Sequence, residues 1–318
     1  MIGLNDYRKK IFRKKDYDKH IECEKKHFKP SMYKEDLTEK TPSSLSYFLE
    51  VLMERIKEKT GCTVEEHLIS EVNKRNYSTE DIRILSIGSG PAGREIKCAK
   101  KFIGNYILDC IDINEQSIKL GKQKATLENV KINFIQQDIN ELNLRTNQYD
   151  VVFASGSLHH MINHEHIALE VKKGMKSDGI FIVNEPVPKN GNRLFEDSKK
   201  IANELWKSVP LKYKLDCIDK KHEDQFFQEL PDMDQSIDGF ECIRSEDLSQ
   251  VLKNNFKIKF EVSGFAFARR FFNKRFGCNY NLANPEDKAI IDRIIRLDEQ
   301  YSTSMNLRPE HIFLMLEK

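Results

Sequence analysis

The sequence predicts an α/β protein: a mostly parallel sheet with helices on both faces. Three observations lead there. Between residues 82 and 185, short apolar runs alternate with segments of helical period. The first run ends in a glycine-rich turn, Gly88-Ser89-Gly90-Pro91-Ala92-Gly93. Over 318 residues, 39% are hydrophobic, enough for a packed core at this length.

The chain opens on a polar segment, 1–40, with twelve basic and eight acidic residues. Its clusters Arg8-Lys9-Lys10 and Arg13-Lys14-Lys15 are closely followed by acids, the pattern of a solvated helical extension. The sharper reading of that extension is a lid over an active site. Thr41-Pro42 reads as a helix start, a capping hydroxyl with proline at the first helical position. Leu45, Phe48, Leu49, Leu52 and Ile56 repeat at helical spacing up to Gly61, and a second helix is expected over 63–76. Residues 1–80 thus form a helical extension, and 81–318 the main domain.

The main domain begins with strand IRILSIG (82–88) and a helix over 92–102. Strand YILDCID (106–112), a helix over 114–127 and strand KINFIQQ (131–137) follow. Next come strand YDVVFAS (149–155), a helix near 163–173 and strand GIFIVNE (179–185). FKIKFEV (256–262) and HIFLMLE (311–317) are late strand candidates, separated by insertions at about 186–245 and 264–310.

Composition limits function. The formal net charge is +2 with 32% charged residues, which argues against a chain-wide nucleic-acid partner but leaves room for a local basic patch. The seven cysteines are scattered and never spaced C-x-x-C, so reduced thiols, a cytoplasmic setting and no structural metal are expected. No apolar run is long enough to span a bilayer.

The glycine turn follows a strand and opens a helix, the context in which G-x-G-x-x-G binds a nucleotide cofactor. Asp112 ends the second strand and can accept both hydroxyls of a ribose. Asp138, after the third strand, can accept from an adenine amine, with Ile139 beside the ring. The fourth strand runs into Ser155-Gly156-Ser157-Leu158-His159-His160.

Together ILSIGSGPAG, CIDIN, QQDIN, YDVVFASGSLHHM and ALEVKKGMKSDGIFIVNE resemble the class I S-adenosylmethionine-dependent methyltransferases, and SLHH is similar to their small-molecule branch. The resemblance implies a Rossmann-like, seven-stranded, mostly parallel sheet whose last strand is antiparallel, with S-adenosylmethionine as cofactor. It implies that Gly88, Ser89, Gly90 and Gly93 shape the loop around the methionine part. Asp112 and Ile113 then hold ribose and adenine, Asp138 and Ile139 bracket the adenine, and Ser155, Gly156 and Leu158 line the cofactor near its sulfonium. One residue departs from the family pattern. Ser86 stands where most members carry an acid, and its hydroxyl is expected to reach the cofactor's amino group less directly.

The expected chemistry is methyl transfer to a small-molecule acceptor, at oxygen, with His159 or His160 as general base and Glu185 binding or deprotonating the acceptor. Arg193 is a candidate for orienting an anionic acceptor. The segment Phe265–Phe276, with four cations and no acid, supports an RNA or protein acceptor or a membrane patch, against the plainer reading of buried phenylalanines. A nicotinamide-dependent oxidoreductase shares the glycine loop and Asp112 but leaves Asp138 and the SLHH turn unexplained. A non-catalytic scaffold leaves the intact loop unexplained.

Overall fold

The central apolar runs become strands because they are covered on both faces, while the strands at the two sheet edges stay partly exposed. The computed structural model describes residues 14–27, 41–75, 81–218, 228–236 and 239–318. Among them, β1 (Ile82–Ile87), β2 (Tyr106–Asp112), β3 (Asn133–Gln136), β4 (Tyr149–Ser155), β5 (Met175–Pro186), β6 (Lys257–Gly264) and β7 (His311–Glu317) form one sheet in the order β3-β2-β1-β4-β5-β7-β6. The pairs from β3 to β5 are parallel, and β7 runs antiparallel to both β5 and β6.

Register decides what meets at the carboxyl edge. Ile87 pairs with Ile111 on one side and Ala154 on the other, so Gly88 emerges between Asp112 and Ser155. Ser155 pairs with Asn184, and Pro186 with His311. The order reverses between β1 and β4, and the crevice outside such a switch point is where open α/β sheets bind ligands.

Successive residues of β4 point to opposite faces. Val152 and Ala154 join a core with Leu85, Ile87, Phe181 and Val183, while Val151 and Phe153 join one with Ile84, Ile180 and Phe313. The second core is closed by α2 (Ser43–Thr60) and α3 (Val64–Asn73) through Ile56, Val64, Leu68 and Val72. The helix start lies one residue later than the sequence suggested. Pro42 occupies the cap position itself, without a side-chain hydrogen bond. Gly61 ends α2 with φ +83, and Thr63 with Glu66 forms a reciprocal capping box at the start of α3. The outer helices α4 (Gly93–Ala99), α5 (Glu115–Leu127) and α6 (His164–Gly174) follow the expected alternation.

The insertions build a third core. The helices α7 (Glu196–Ser208), α8 (Ser245–Asn255), α9 (Arg269–Phe272) and α10 (Pro285–Ser304) belong to the late half of the chain. In that core Trp206, Tyr213, Phe265, Phe267, Phe271, Phe272 and Phe276 pack with Phe48 and Leu52 of α2. Each fully buried Phe of this kind contributes about 1.5–3 kcal/mol. The rings of the basic-aromatic segment are therefore inside, which removes the stacking surface an RNA or membrane reading needs. Of its cations, Arg270 pairs with Glu310 and Arg275 with Asp216.

One further expectation changes and one is not tested. Cys217 and Cys278 form a disulfide, because the fold brings together segments that are distant in sequence. The clusters Arg8-Lys9-Lys10 and Arg13-Lys14-Lys15 lie outside the described side chains, whereas α1 (Lys14–His27) is described.

A buried carboxylate sets the turn that enters α9. Asp298 accepts from the amides of Ala266 and Phe267 at 2.8 and 2.7 Å, from that of Ala268, and from the Ser302 hydroxyl. Replacing Asp298 with Ala strands three buried amides, so urea unfolding should show a loss of about 3 kcal/mol. A loss below about 1 kcal/mol would mean the turn is held by other contacts.

Candidate functional site

The glycine loop is shaped by its own hydrogen bonds. The amides of Gly88 and Ser89 both donate to the Ile111 carbonyl, at 2.8 and 3.1 Å. The Gly90 amide donates to Asp112 Oδ2 at 2.7 Å. These amides tie the loop to the end of β2 and are not the free donors that the motif alone suggested. Gly88 has φ +66, and a Cβ there would lie 2.4 Å from Ser157 Cβ, so only glycine fits.

Ser86 does not reach the crevice. Its hydroxyl donates to Glu95 Oε1 at 2.7 Å beneath the loop. Glu95 of α4 thus pairs with the residue at position 86, and burial pushes its carboxyl up from its ordinary range. Gly93 starts α4 away from the cavity wall, and Leu158 is buried in the main core.

The remaining cofactor candidates converge. Gly88, Ser89, Gly90, Asp112, Ile113, Asp138, Ile139, Ser155 and Gly156 all line one crevice of about 270 Å³. Each Asp112 oxygen takes one backbone N–H, from Gly90 and from Asn114, leaving lone pairs toward the cavity. Burial raises the Asp112 carboxyl, and the amides of Asn114 and Gly90 oppose that shift. The lining suits an adenosine: carboxylate acceptors at the tips of two strands, with apolar walls from Ile113 and Ile139.

The sequence offered the N-terminal extension as a lid, but not which of its residues meet the crevice, nor the part played by the first insertion. Helix α1 lies across it through Ile21, Glu24 and Lys25, and Phe240 of the first insertion closes the far side. The Tyr17 hydroxyl donates to Asp138 Oδ2, and Asn140 donates to Tyr17 at 3.1 Å. Asp138 is thereby shared between the crevice and its cover. No local signal marks such contacts, since Tyr17 and Asp138 are 121 residues apart.

The turn after β4 is organised by Glu185. This fully buried carboxylate accepts from the amides of Ser157 and Leu158 at 2.8 and 3.0 Å. It also meets His159 Nδ1 at 2.8 Å. Burial pushes Glu185 up, but the His159 ring and the two amides outweigh it and hold the carboxyl below its usual range. Glu185 therefore faces the protein rather than an open crevice, and it is His160, not His159, that lines the cofactor cavity.

His160 sits between two carboxylates, with Nδ1 3.6 Å from Glu24 and Nε2 3.7 Å from Glu241. No metal spacing is legible in the sequence, yet His159, His160 and Glu241 bring one ligand atom each within 4.8 Å of one another. The cluster can hold a divalent cation, or it can keep a proton on His160 and bind the cover.

A second crevice, of about 200 Å³, opens from the same strand tip and shares Ser155 and Gly156 with the first. Phe48, Leu52 and Phe265 form its apolar wall, and Arg94, Arg269 and His311 its polar side. None of these was singled out for function in the sequence apart from the segment holding Phe265 and Arg269. Arg193, the sequence candidate for an anion, instead donates to the Asn190 carbonyl and faces Asp234.

The cover is expected to depend on pH. Burial lowers His160, but Glu24 and Glu241 more than reverse this, with Glu185 adding to them, and its folded value lies above 6.5. Glu24 and Glu241, pushed up by burial, are pulled net below their ordinary value by His160 and its neighbour. Stability from the imidazolium is complete below 6.5 and is lost as pH climbs through the raised folded value. The melting-temperature advantage of the wild type over His160→Gln should shrink steadily from pH 6.5 upward. An advantage that stays constant to pH 9 excludes this latch.

Comparison with known proteins agrees with the domain so described. Residues 78–230 match a family model described as a methyltransferase domain. The chain is 28% identical over 140 residues to the carboxy-S-adenosyl-L-methionine synthase of Nautilia profundicola, covering 44% of this chain and 56% of that protein. It is 25% identical over 118 residues to the ubiquinone biosynthesis O-methyltransferase of Rickettsia bellii, covering 37% and 48%. A solved S-adenosylmethionine dependent methyltransferase from Mesorhizobium loti superposes with TM-score 0.44 at 13% identity, covering 81% of this chain and 99% of that one. The chain spans about half the length of the curated relatives it matches. The matched residues span the glycine loop and the first five strands, so this part of the chain is a methyltransferase domain of the S-adenosylmethionine-dependent kind.

Proposed function

We propose that this chain transfers a methyl group from S-adenosylmethionine to a small-molecule acceptor, at an oxygen atom. The observation that carries the reading is the meeting of two crevices at Ser155-Gly156, one shaped for an adenosine and one of acceptor size. The cofactor supplies an electrophilic methyl on a sulfonium. Everything else falls to the chain: alignment of the acceptor for in-line attack, and exclusion of water.

In this reading Asp112 holds the ribose hydroxyls, Ile113 and Ile139 sandwich the adenine, and Asp138 accepts from its amine. Helix α1 and Phe240 keep water from the cofactor. His159 lines neither crevice, but Glu185 holds it through Nδ1, and in this reading its Nε2 takes the proton from the acceptor. Glu185 is thus a positioning residue, and His160 belongs to the cover.

The relatives named above act on small molecules by their names, which favours a small acceptor here. The basic-aromatic argument for an RNA or protein acceptor falls because the Phe265–Phe276 rings are buried. Among the described residues, no helix is long and apolar enough to cross a membrane.

Calorimetry with S-adenosylhomocysteine tests the cofactor reading. Binding is expected for the wild type and at least ten-fold weaker for Asp112→Ala, since a charge-assisted pair of hydrogen bonds is lost. Unchanged affinity rules out the ribose role. With an acceptor in hand, His159→Ala should lower kcat by about 100-fold or more at unchanged S-adenosylhomocysteine affinity. Intact turnover removes His159 as the base.

A further inference from the structure

We propose that the second crevice is an acceptor site for a compact organic anion, a carboxylate on a single-ring-sized apolar body, held by Arg94 and Arg269. That this anion is the methyl acceptor rests on the methyl-transfer reading; its binding does not.

The crevice is built for such a molecule. At about 200 Å³ it is below the range of drug-sized pockets, so its occupant is small. Phe48, Leu52 and Phe265 offer apolar contact for a ring or a short branched body. Two guanidinium groups face them from α4 and from the start of α9.

The cations are not equally committed. Arg270 is consumed by Glu310 and the Asn192 carbonyl, and Arg275 by Asp216. Arg269, half-buried at the crevice wall, makes no hydrogen bond or ion pair with any described residue. Arg94 donates to the Ser155 hydroxyl and pairs with Glu65, both members of that ion pair being 39% exposed. An exposed pair of that kind is weak and yields to a better anion.

The other charged groups leave this side net positive. Glu310 lines the crevice, but its Oε1 is bound by Arg270 and burial raises its carboxyl. Glu241 reaches Arg269 only across space. His311 stays neutral, lowered to about 4 by burial and by Arg269 and Arg94, against Glu185. It therefore offers a ring nitrogen rather than a third cation.

A separate observation points the same way. Asn184 donates to the Ser155 hydroxyl at 3.0 Å, but its Oδ1 is buried without a partner and the residue lines the crevice. A buried carbonyl of this kind requires a donor. A ligand hydroxyl beside Ser155-Gly156, where the cofactor's methyl would arrive, supplies one. The occupant is then an anion at one end and a hydroxyl at the other, spanning Arg269 and Asn184.

The test uses benzoate and its neutral isostere benzamide, titrated calorimetrically into the full chain, with S-adenosylhomocysteine titrated separately. Benzoate is expected to bind at least ten-fold more tightly than benzamide. Arg269→Gln is expected to abolish that preference, and Arg94→Gln to reduce it. Equal binding of the two probes by the wild type overturns the proposal without any variant, as does failure of benzoate to bind. A preference that survives in folded Arg269→Gln, checked by near-ultraviolet circular dichroism, overturns it too. If S-adenosylhomocysteine fails to bind while the benzoate preference holds, the methyl-transfer reading falls and the anion site stands. If S-adenosylhomocysteine binds and the preference is absent, only the anion site falls.

Discussion

One buried carboxylate organises the reactive edge of this protein. Glu185 sits at the end of β5 with no exposure, and the turn after β4 is folded around it. Three amides and an imidazole converge on its two oxygens. In the low dielectric of the interior those interactions are strong, and breaking them strands several donors at once. Ser155 and Gly156, which line both crevices, precede that turn directly. Their placement depends on a charge that touches neither crevice.

The two crevices divide the electrostatics. The cofactor side carries Asp112 and Asp138, acceptors suited to hydroxyls and an amine. The second crevice carries Arg94 and Arg269, donors suited to an anion. The sheet separates them by strand order: the carboxylates follow β2 and β3, while Arg269 and His311 belong to the β6 and β7 end. A site that binds two differently charged molecules gains selectivity when each half repels the other's ligand.

Coverage is assembled from distant parts of the chain. Helix α1 contributes Tyr17, Ile21 and Glu24, and the first insertion contributes Phe240 and Glu241. His160 lies where they meet, so a single proton bears on both. The aromatic core of the insertions carries Phe265 to the crevice wall, and Asp298 fixes the turn from which Arg269 projects. The same residues that suggested a nucleic-acid surface in the sequence thus serve mainly as packing.

The sequence by itself determined the strand–helix alternation, the glycine loop and the strand-tip acids, because these follow from periodicity, backbone freedom and short spacing. Asp112 and Gly90 are one βαβ unit apart, and that local geometry is general. Tertiary structure decided the rest. The Ser86–Glu95 pair, the Tyr17–Asp138 contact and the Cys217–Cys278 disulfide each join residues whose meeting no spacing announces. It also decided the roles of the histidines: His159 turns onto Glu185, and His160 faces the cofactor crevice. His311 is the sharpest case. It begins an antiparallel strand, so its N-terminal end lies beside Pro186 at the reactive edge, and only the pairing of β7 with β5 places it there.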